Sequence, residues 1–180
     1  MKRMVLNGVL ISLALILSYV ERLFPIGLIV PIPGIKIGLA NIVTIFALFY
    51  FNIKSAITIT ILRCVIANLL FGSFSSFLFS LSGAMAALIV MVILKRGYGR
   101  AFSIVGISIG GAAAHNIGQI LVASLLLQST AVFPYLSLLL LSSIITGTLT
   151  AIVSGTLLHR LKKLGDCDSS LEKLMKETGK

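Results

Sequence analysis

The chain has 180 residues, of which 58% are hydrophobic and only 11% are charged, and its mean hydropathy is +1.11. A soluble domain usually carries about 25% charged residues, so this chain has too few ionised groups to cover a water-facing surface. The composition therefore excludes an ordinary soluble protein and predicts lipid as the main solvent. The net charge of +10 lies in short clusters between apolar runs, which is typical of topology signals rather than of nucleic-acid binding.

Six apolar runs are long enough, or nearly so, to form transmembrane helices of roughly 20 residues. The first follows Met1, Lys2 and Arg3, and we interpret it as a retained helix rather than a cleaved signal peptide because no small-residue cleavage site follows it. The runs are Met4–Val20, Ile35–Phe51, Ser55–Phe71, Phe74–Leu94, Phe102–Leu127 and Phe133–Leu158. The sequence thus predicts an all-α integral membrane protein with six transmembrane helices.

The breaks between the runs have a recognisable chemistry. Between the first two runs, Pro25, Pro31 and Pro33 fix φ and remove backbone donors, so no helix is expected across Arg22–Gly34. Because this segment is apolar, we expect it to form a lid that packs over protein. The other predicted breaks are Asn52–Lys54, Gly72–Ser73, Lys95–Arg100 and Gln128–Ala131.

Basic residues near the helix ends predict the orientation. With both termini in the cytoplasm, the cytoplasmic side carries Lys2, Arg3, Lys54, Lys95, Arg96, Arg100, Arg160, Lys162 and Lys163, and the outer side carries only Arg22 and Lys36. This is a strong positive-inside bias, and it predicts a bacterial-type cytoplasmic membrane protein. Residues 1–160 form the predicted membrane domain, and residues 161–180 form a short polar cytoplasmic tail with an amphipathic turn near Ser169.

Residues of the kind that carry catalysis are scarce. The only aspartates are Asp166 and Asp168, both in the tail, whereas prenyl-chain synthases use aspartate-rich motifs to hold magnesium on a diphosphate. Glycine-rich nucleotide loops and nucleophile–base sets do not occur either. Cys64 lies in an apolar run and Cys167 in the tail, which favours neither a disulfide nor a metal site. We therefore expect no catalysis by this chain alone, no cofactor and no metal.

Ionisable and amide side chains within the apolar runs are the candidate ligand-binding residues, because such groups are costly in a membrane. They are Glu21, Arg22, Lys36, Asn41, Arg63, Asn68, His115, Asn116 and Gln119. At about 1.5 Å of rise per residue, most are expected in the outer half of the bilayer. This asymmetry predicts an outward-facing pocket with a closed inner floor rather than a channel.

The fifth run has the most specific local pattern. One helical stripe, with Asn116 at its edge, carries Ser108, Gly111, Ala112, His115, Gly118 and Gln119. The stripe is either a ligand-facing surface or a polar contact between helices. For Arg63, we weigh an ion pair with Glu21 against a direct contact with an anionic ligand.

Small residues at four-residue spacing predict close helix approach. The sixth run carries such a series in Ser143, Gly147, Ala151 and Gly155. These residues serve either packing within the chain or docking to a partner subunit. The first run carries two staggered pairs as the candidate partner-docking face: Gly8 with Ser12, and Ala14 with Ser18.

Three stretches carry a family resemblance: Tyr19–Pro25 (YVERLFP), Pro33–Asn41 (PGIKIGLAN) and Ala114–Gln119 (AHNIGQ). With six predicted helices, the membrane region resembles the family labelled Gx transporter or heptaprenyl diphosphate synthase component I. That family is similar to the substrate-binding S-components of energy-coupling factor (ECF) transporters. The resemblance implies a bundle that binds a vitamin-like molecule, together with a transmembrane coupling protein and ATPase subunits as partners. It also implies that small residues of the first helix face the coupling protein.

The function predicted on these grounds is that of a substrate-binding membrane subunit of an ATP-driven importer for a small organic micronutrient or precursor. One alternative is an accessory membrane subunit of heptaprenyl diphosphate or quinone synthesis, as the second family label implies. Another is a stand-alone secondary carrier, which would need polar groups that reach both faces.

Overall fold

A computed structural model describes the backbone of residues 2–23 and 39–178, and the side chains of residues 5, 7–21, 23 and 39–160. The described part is helical, apart from one short 3₁₀ turn at Thr130–Val132 and short links. The helices are α1 Lys2–Leu23, α2 Asn41–Tyr50, α3 Ile53–Phe71, α4 Phe74–Lys95, α5 Ile104–Leu127 and α6 Pro134–Thr178. The predicted lid at Arg22–Gly34 and the candidate Lys36 lie outside the described side chains.

Side-chain caps begin three of the helices, two of them at predicted breaks and the third, Ser103, at the start of the predicted run Phe102–Leu127. Asn52, Ser73 and Ser103 each accept a hydrogen bond from the backbone N–H three residues on, at 2.8 to 3.2 Å. Such caps satisfy one of the free N–H groups of a first helical turn. At the end of α5, Gln128 adopts the left-handed conformation with φ 47° and stops the helix.

Among the described residues, four helical segments are long and apolar enough to cross a membrane, as judged by length and composition. They are Ile53–Phe71, Phe74–Lys95, Ile104–Leu127 and Thr130–Arg160. The apolar part of α1, Asn7–Glu21, and the whole of α2 are shorter. The protein is therefore an all-helical membrane protein.

The second apolar run differs most from its prediction. We expected a helix over Ile35–Phe51, whereas α2 begins at Asn41 and has ten residues. Ten residues cover about 15 Å, half of a hydrocarbon core of about 30 Å. Its residues Asn41–Leu48 are all buried, because α2 packs against each of the other five helices. By itself α2 is therefore too short to cross a hydrocarbon core, and its apolar composition reflects burial in protein.

The remaining helices surround α2. Along the bundle, α1 packs on α3, α3 on α4, α4 on α5, and α5 on α6. The apolar core around α2 includes Leu10, Ala14, Ile59 and Met91. A second apolar cluster, which includes Phe79, Ile120 and Leu139, joins α4, α5 and α6. Large apolar side chains such as Leu69, Phe74 and Ile145 are exposed on the outside of the bundle, as expected for a surface in contact with lipid.

The last helix also extends beyond its prediction. We expected a polar tail with a single amphipathic turn after residue 160, whereas the α6 backbone is helical through Thr178. The residues after Arg160 include Leu, Lys and Glu, which favour helix, and no proline. The prediction ended this helix at Leu158 because the hydrophobicity of the sequence falls there. The helical propensity does not fall at the same point, so the helix continues.

Candidate functional site

Most of the predicted binding residues are buried. Seven of them expose less than a tenth of their surface, namely Glu21, Asn41, Arg63, Asn68, His115, Asn116 and Gln119. Lys36 and the side chain of Arg22 lie outside the described residues. Buried polar side chains in a membrane bundle need hydrogen-bond partners, so their contacts distinguish structural from binding roles.

His115 and Gln119 form one pair on the face of α5 that packs against α4. Their Nε2 atoms lie 2.9 Å apart. The amide nitrogen donates to His115 Nε2 when the ring carries its proton on Nδ1. A Cβ added at Gly83 of α4 would lie 2.9 Å from the His115 ring and 3.0 Å from Gln119 Cγ. Gly83 therefore makes room for this pair.

Asn116 faces the opposite neighbour, α6. Its amide nitrogen donates to the Leu139 carbonyl at 2.8 Å and to Ser143 Oγ at 2.9 Å. Both distances are those of good hydrogen bonds. The stripe on α5 is thus divided: Asn116 joins two helices, and its Oδ1 is buried without a hydrogen-bond partner among the described residues.

A third polar group lies where α2 contacts α3. The hydroxyl oxygens of Thr44 and Thr60 lie 3.3 Å apart, and either of them can donate. Asn41 lies three residues before Thr44, and Arg63 lies three residues after Thr60. The link between these helices has only two residues, which makes them antiparallel. Along the helix axes, Asn41 and Arg63 are therefore both displaced by about 4.5 Å from the threonine contact, toward the same end of the bundle.

Two atoms of each of these side chains are unpartnered. Asn41 Oδ1 and Nδ2, and Arg63 Nε and Nη2, are buried with no hydrogen-bond partner in the part of the chain that the structure describes. Arg63 is 5% exposed and Asn41 is 2% exposed. Glu21, also buried, lies on α1, which packs on α3.

Asn68 lies at the end of α3, beside an open cavity of about 410 Å³. Its amide nitrogen donates to the Cys64 carbonyl of its own helix at 2.7 Å, and its Oδ1 has no described partner. The cavity is lined mainly by apolar side chains, namely Val65, Leu69, Phe74 and Phe77. This cavity is a less specific candidate than the buried polar groups, because it offers a ligand few polar contacts.

Sequence reasoning did not select Thr44, Thr60 or Ser108 as binding residues, although it placed Ser108 on the α5 stripe. All three are fully or almost fully buried, and Ser108 Oγ has no hydrogen-bond partner among the described residues. Threonine and serine are common in membrane helices, where they bond to their own backbone. The half-buried Thr148 and the exposed Thr156 do so, and no pattern in the sequence separates Thr44 and Thr60 from them.

The small residues of α1 divide between two faces. Gly8 and Ser12 are exposed, and Ser12 donates to the Gly8 carbonyl at 3.1 Å. Ala14 and Ser18 are buried within the bundle. Of the two pairs predicted to form a docking face, only Gly8 and Ser12 are therefore accessible to a partner subunit.

The small residues of α6 also differ among themselves. A Cβ at Gly147 would lie 2.6 Å from the Cα of Ile109 in α5, whereas a Cβ at Gly155 would meet no described atom within 4 Å. Ser143 and Ala151 are buried. Close packing of α5 on α6 therefore depends on Gly147.

Among residues whose side chains are described, no three His, Cys, Asp or Glu residues come close enough together to hold a metal ion.

Comparison with known proteins identifies the family. The sequence model of the heptaprenyl diphosphate synthase component I family matches residues 10–157. This range covers most of the chain and all three stretches that carry the resemblance, so the chain belongs to this family. Neither a curated protein nor a solved structure shows significant similarity to it.

Proposed function

We propose that this member of the heptaprenyl diphosphate synthase component I family is a substrate-binding membrane subunit, similar to the S-components of ECF importers. It spans the cell membrane six times with both termini in the cytoplasm. It binds a small organic molecule from the outside, and it works with a transmembrane coupling protein and ATPase subunits.

The observation that carries the proposal is the set of buried polar atoms without hydrogen-bond partners in the described part of the bundle. They belong to Asn41, Arg63, Asn68, Ser108 and Asn116. Leaving one such group unsatisfied costs about 1–3 kcal/mol, and more when the group is charged. A bundle that retains several of them is suited to a polar ligand that supplies the missing partners.

The surroundings of these atoms fit the same function. Most of the nearby interior is apolar, with Ile45, Ile59 and Ile120 fully buried. Ligand sites for small molecules combine apolar walls with a few placed polar groups. A compact organic molecule with an apolar body and few polar groups suits this interior.

A second function is favoured by the family description, which names a component of a prenyl diphosphate synthase. In that case the chain is an accessory membrane subunit that assembles with a soluble prenyl synthase. It would then co-purify with that enzyme and change the chain length of its product.

The experiment that separates the two is mass spectrometry of small molecules and proteins that co-purify with the detergent-solubilised protein. The variants are Asn41→Ala and Gln119→Ala, and the matched control is Thr156→Ala, which is exposed on α6 and whose hydroxyl bonds to its own helix. One compound enriched with the wild type and the control, and depleted in both variants, supports the binding subunit. Co-purification of a prenyl synthase with no enriched compound contradicts it and supports the accessory subunit.

A further inference from the structure

The first turn of α2 is buried inside the bundle. Ala40, which precedes the helix, is fully buried, and Asn41 is almost so. The described residues provide neither a side-chain cap nor an acidic residue for this turn. A helix N-terminus carries a partial positive charge of roughly half an elementary charge. In an apolar interior this charge is screened less than it would be in water.

Arg63 brings a full positive charge to the same depth. Arg63 is ten residues from the start of α3, or about 15 Å, and α2 extends about 15 Å from the same end of the bundle. Because Arg63 is 5% exposed, its guanidinium lies within the bundle rather than in lipid. A buried guanidinium without a counter-charge is strongly unfavourable.

The unpartnered atoms of Arg63 have a specific geometry. Nε and Nη2 are the two nitrogens on one edge of the guanidinium plane, and together they donate two parallel hydrogen bonds to a carboxylate or phosphate. Neither has a hydrogen-bond partner among the described residues, and the same holds for Asn41 Nδ2. Among the described residues, these two side chains thus offer three donors without a partner, at the depth of a helix N-terminus that has no side-chain cap. The backbone N–H groups of Ile42 and Val43 at this terminus donate to the Leu39 and Ala40 carbonyls at 3.0 and 3.3 Å, so the donors for an anion come from the side chains.

We infer that the N-terminus of α2, Asn41 and Arg63 form a buried anion site that binds a carboxylate or phosphate group. This inference rests on the proposed function and assigns the ligand a chemical class, that of an organic anion. Half-length helices whose N-termini meet anionic groups at mid-membrane are a general solution in membrane transport proteins. The anion comes either from a soluble ligand or from the phosphate of a lipid.

The first test needs no knowledge of the ligand. In Asn41→Asp, a carboxylate replaces an amide of nearly the same shape at the helix N-terminus, beside Arg63. If the site binds anions, this built-in anion raises the melting temperature of the ligand-free protein, by on the order of 4 °C. The matched control is Asn116→Asp, which places the same change at an amide that donates to Leu139 and Ser143, and we expect it to lower the melting temperature.

The second test uses defined anions. The melting temperatures of the wild type, Asn41→Asp and Arg63→Gln are measured in nanodiscs of neutral phosphatidylcholine with sodium benzoate or inorganic diphosphate, and in nanodiscs with anionic phosphatidylglycerol. Stabilisation of the wild type by a soluble anion indicates a soluble ligand, and stabilisation by the anionic lipid alone indicates a lipid phosphate. Stabilisation by either kind of anion supports the inference if it is absent from both Asn41→Asp and Arg63→Gln.

Three results overturn the inference. The first is an Asn41→Asp variant that is destabilised as much as Asn116→Asp. The second is a stabilisation by anions that Arg63→Gln leaves unchanged. The third is recovery of the stability of Arg63→Gln by a second change, Glu21→Gln, which would identify Glu21 as the counter-charge of Arg63.

Failure of the anion site and failure of the proposed function can be told apart. A co-purifying compound that carries no acidic group would retain the binding subunit and remove the anion site. An anion response without any co-purifying compound, but with a bound prenyl synthase, would retain the site and remove the importer function.

Discussion

The side-chain amide of Asn116 donates to Ser143 Oγ at 2.9 Å and so connects α5 to α6. From the sequence, Asn116 was one of the predicted ligand contacts, with a polar contact between helices as the alternative. The bond gives Asn116 a structural role within the bundle, while its unpartnered Oδ1 still leaves one atom for a ligand.

This bond predicts a measurable coupling between the two residues. Asn116→Ala and Ser143→Ala should each lower the free energy of unfolding, and the double variant should lose less than their sum. Side-chain hydrogen bonds between membrane helices contribute about 0.6 kcal/mol on average, and at most about 1.7 kcal/mol. A double-mutant cycle in mild detergent measures this coupling. Additive losses would contradict the bond.

Gly147 and Gly155 provide a matched pair on one helix. Gly147→Ala places a Cβ 2.6 Å from the Cα of Ile109, and since backbone cannot move aside as a side chain can, α5 and α6 must separate. Overpacking of this kind costs about 1–3 kcal/mol. Gly155→Ala meets no described atom within 4 Å and should be neutral or slightly stabilising. Thermal unfolding of both variants checks this, and equal effects would contradict it.

Gly83 permits the contact of α4 with His115 and Gln119. Gly83→Ala places a Cβ 2.9 Å from the His115 ring, so the pair must shift. We expect ligand retention to fall at least tenfold if these side chains form part of the binding site, with a loss of stability of about 1–3 kcal/mol. The control is Gly8→Ala, on an exposed face where no described atom lies within 4 Å. Unchanged retention in a folded Gly83→Ala would place the ligand away from this pair.

Lys95 connects the end of α4 to the end of α2. Its ammonium donates to the Leu48 carbonyl and lies 5.0 Å from the centre of the Phe49 ring. A positive charge at a helix C-terminus stabilises it by about 0.3–1 kcal/mol. Lys95→Met should therefore lower the free energy of unfolding by about 1 kcal/mol. Arg96→Met, an exposed neighbour, serves as the control, and a loss of equal size there would show that the loss is not specific to Lys95.

The topology with six spans and cytoplasmic termini predicts the labelling of introduced cysteines in intact cells. In a Cys167→Ser background, which retains the buried Cys64 and serves as the unlabelled control, an impermeant maleimide should label Ser75→Cys and Ala131→Cys from outside, because both positions are exposed near predicted outer links. Arg100→Cys, also exposed, should be labelled only after the cells are permeabilised. The reverse pattern would contradict the orientation, and labelling of Arg100→Cys and Ala131→Cys alike in intact cells would contradict the number of spans.

The sequence by itself determined the solvent, the class and most of the helices. A hydrophobic content of 58% with 11% charged residues requires apolar surroundings, whatever the tertiary arrangement. The Asn52 and Ser73 caps also follow from local chemistry, because a short side chain bonds to the backbone three residues away. Local interactions of this kind can be read from residues that are near in sequence.

The tertiary structure decided which helix is central and what each polar residue contacts. Apolar residues face lipid and protein alike, so hydrophobicity did not distinguish the buried ten-residue α2 from a helix that faces lipid. For the same reason, the stripe on α5 did not reveal that His115 meets α4 while Asn116 meets α6. The shared depth of Asn41 and Arg63 depends on the antiparallel register of α2 and α3, which the Thr44–Thr60 contact sets. Register between helices arises from packing across the bundle, and packing is not encoded in the spacing of residues along one helix.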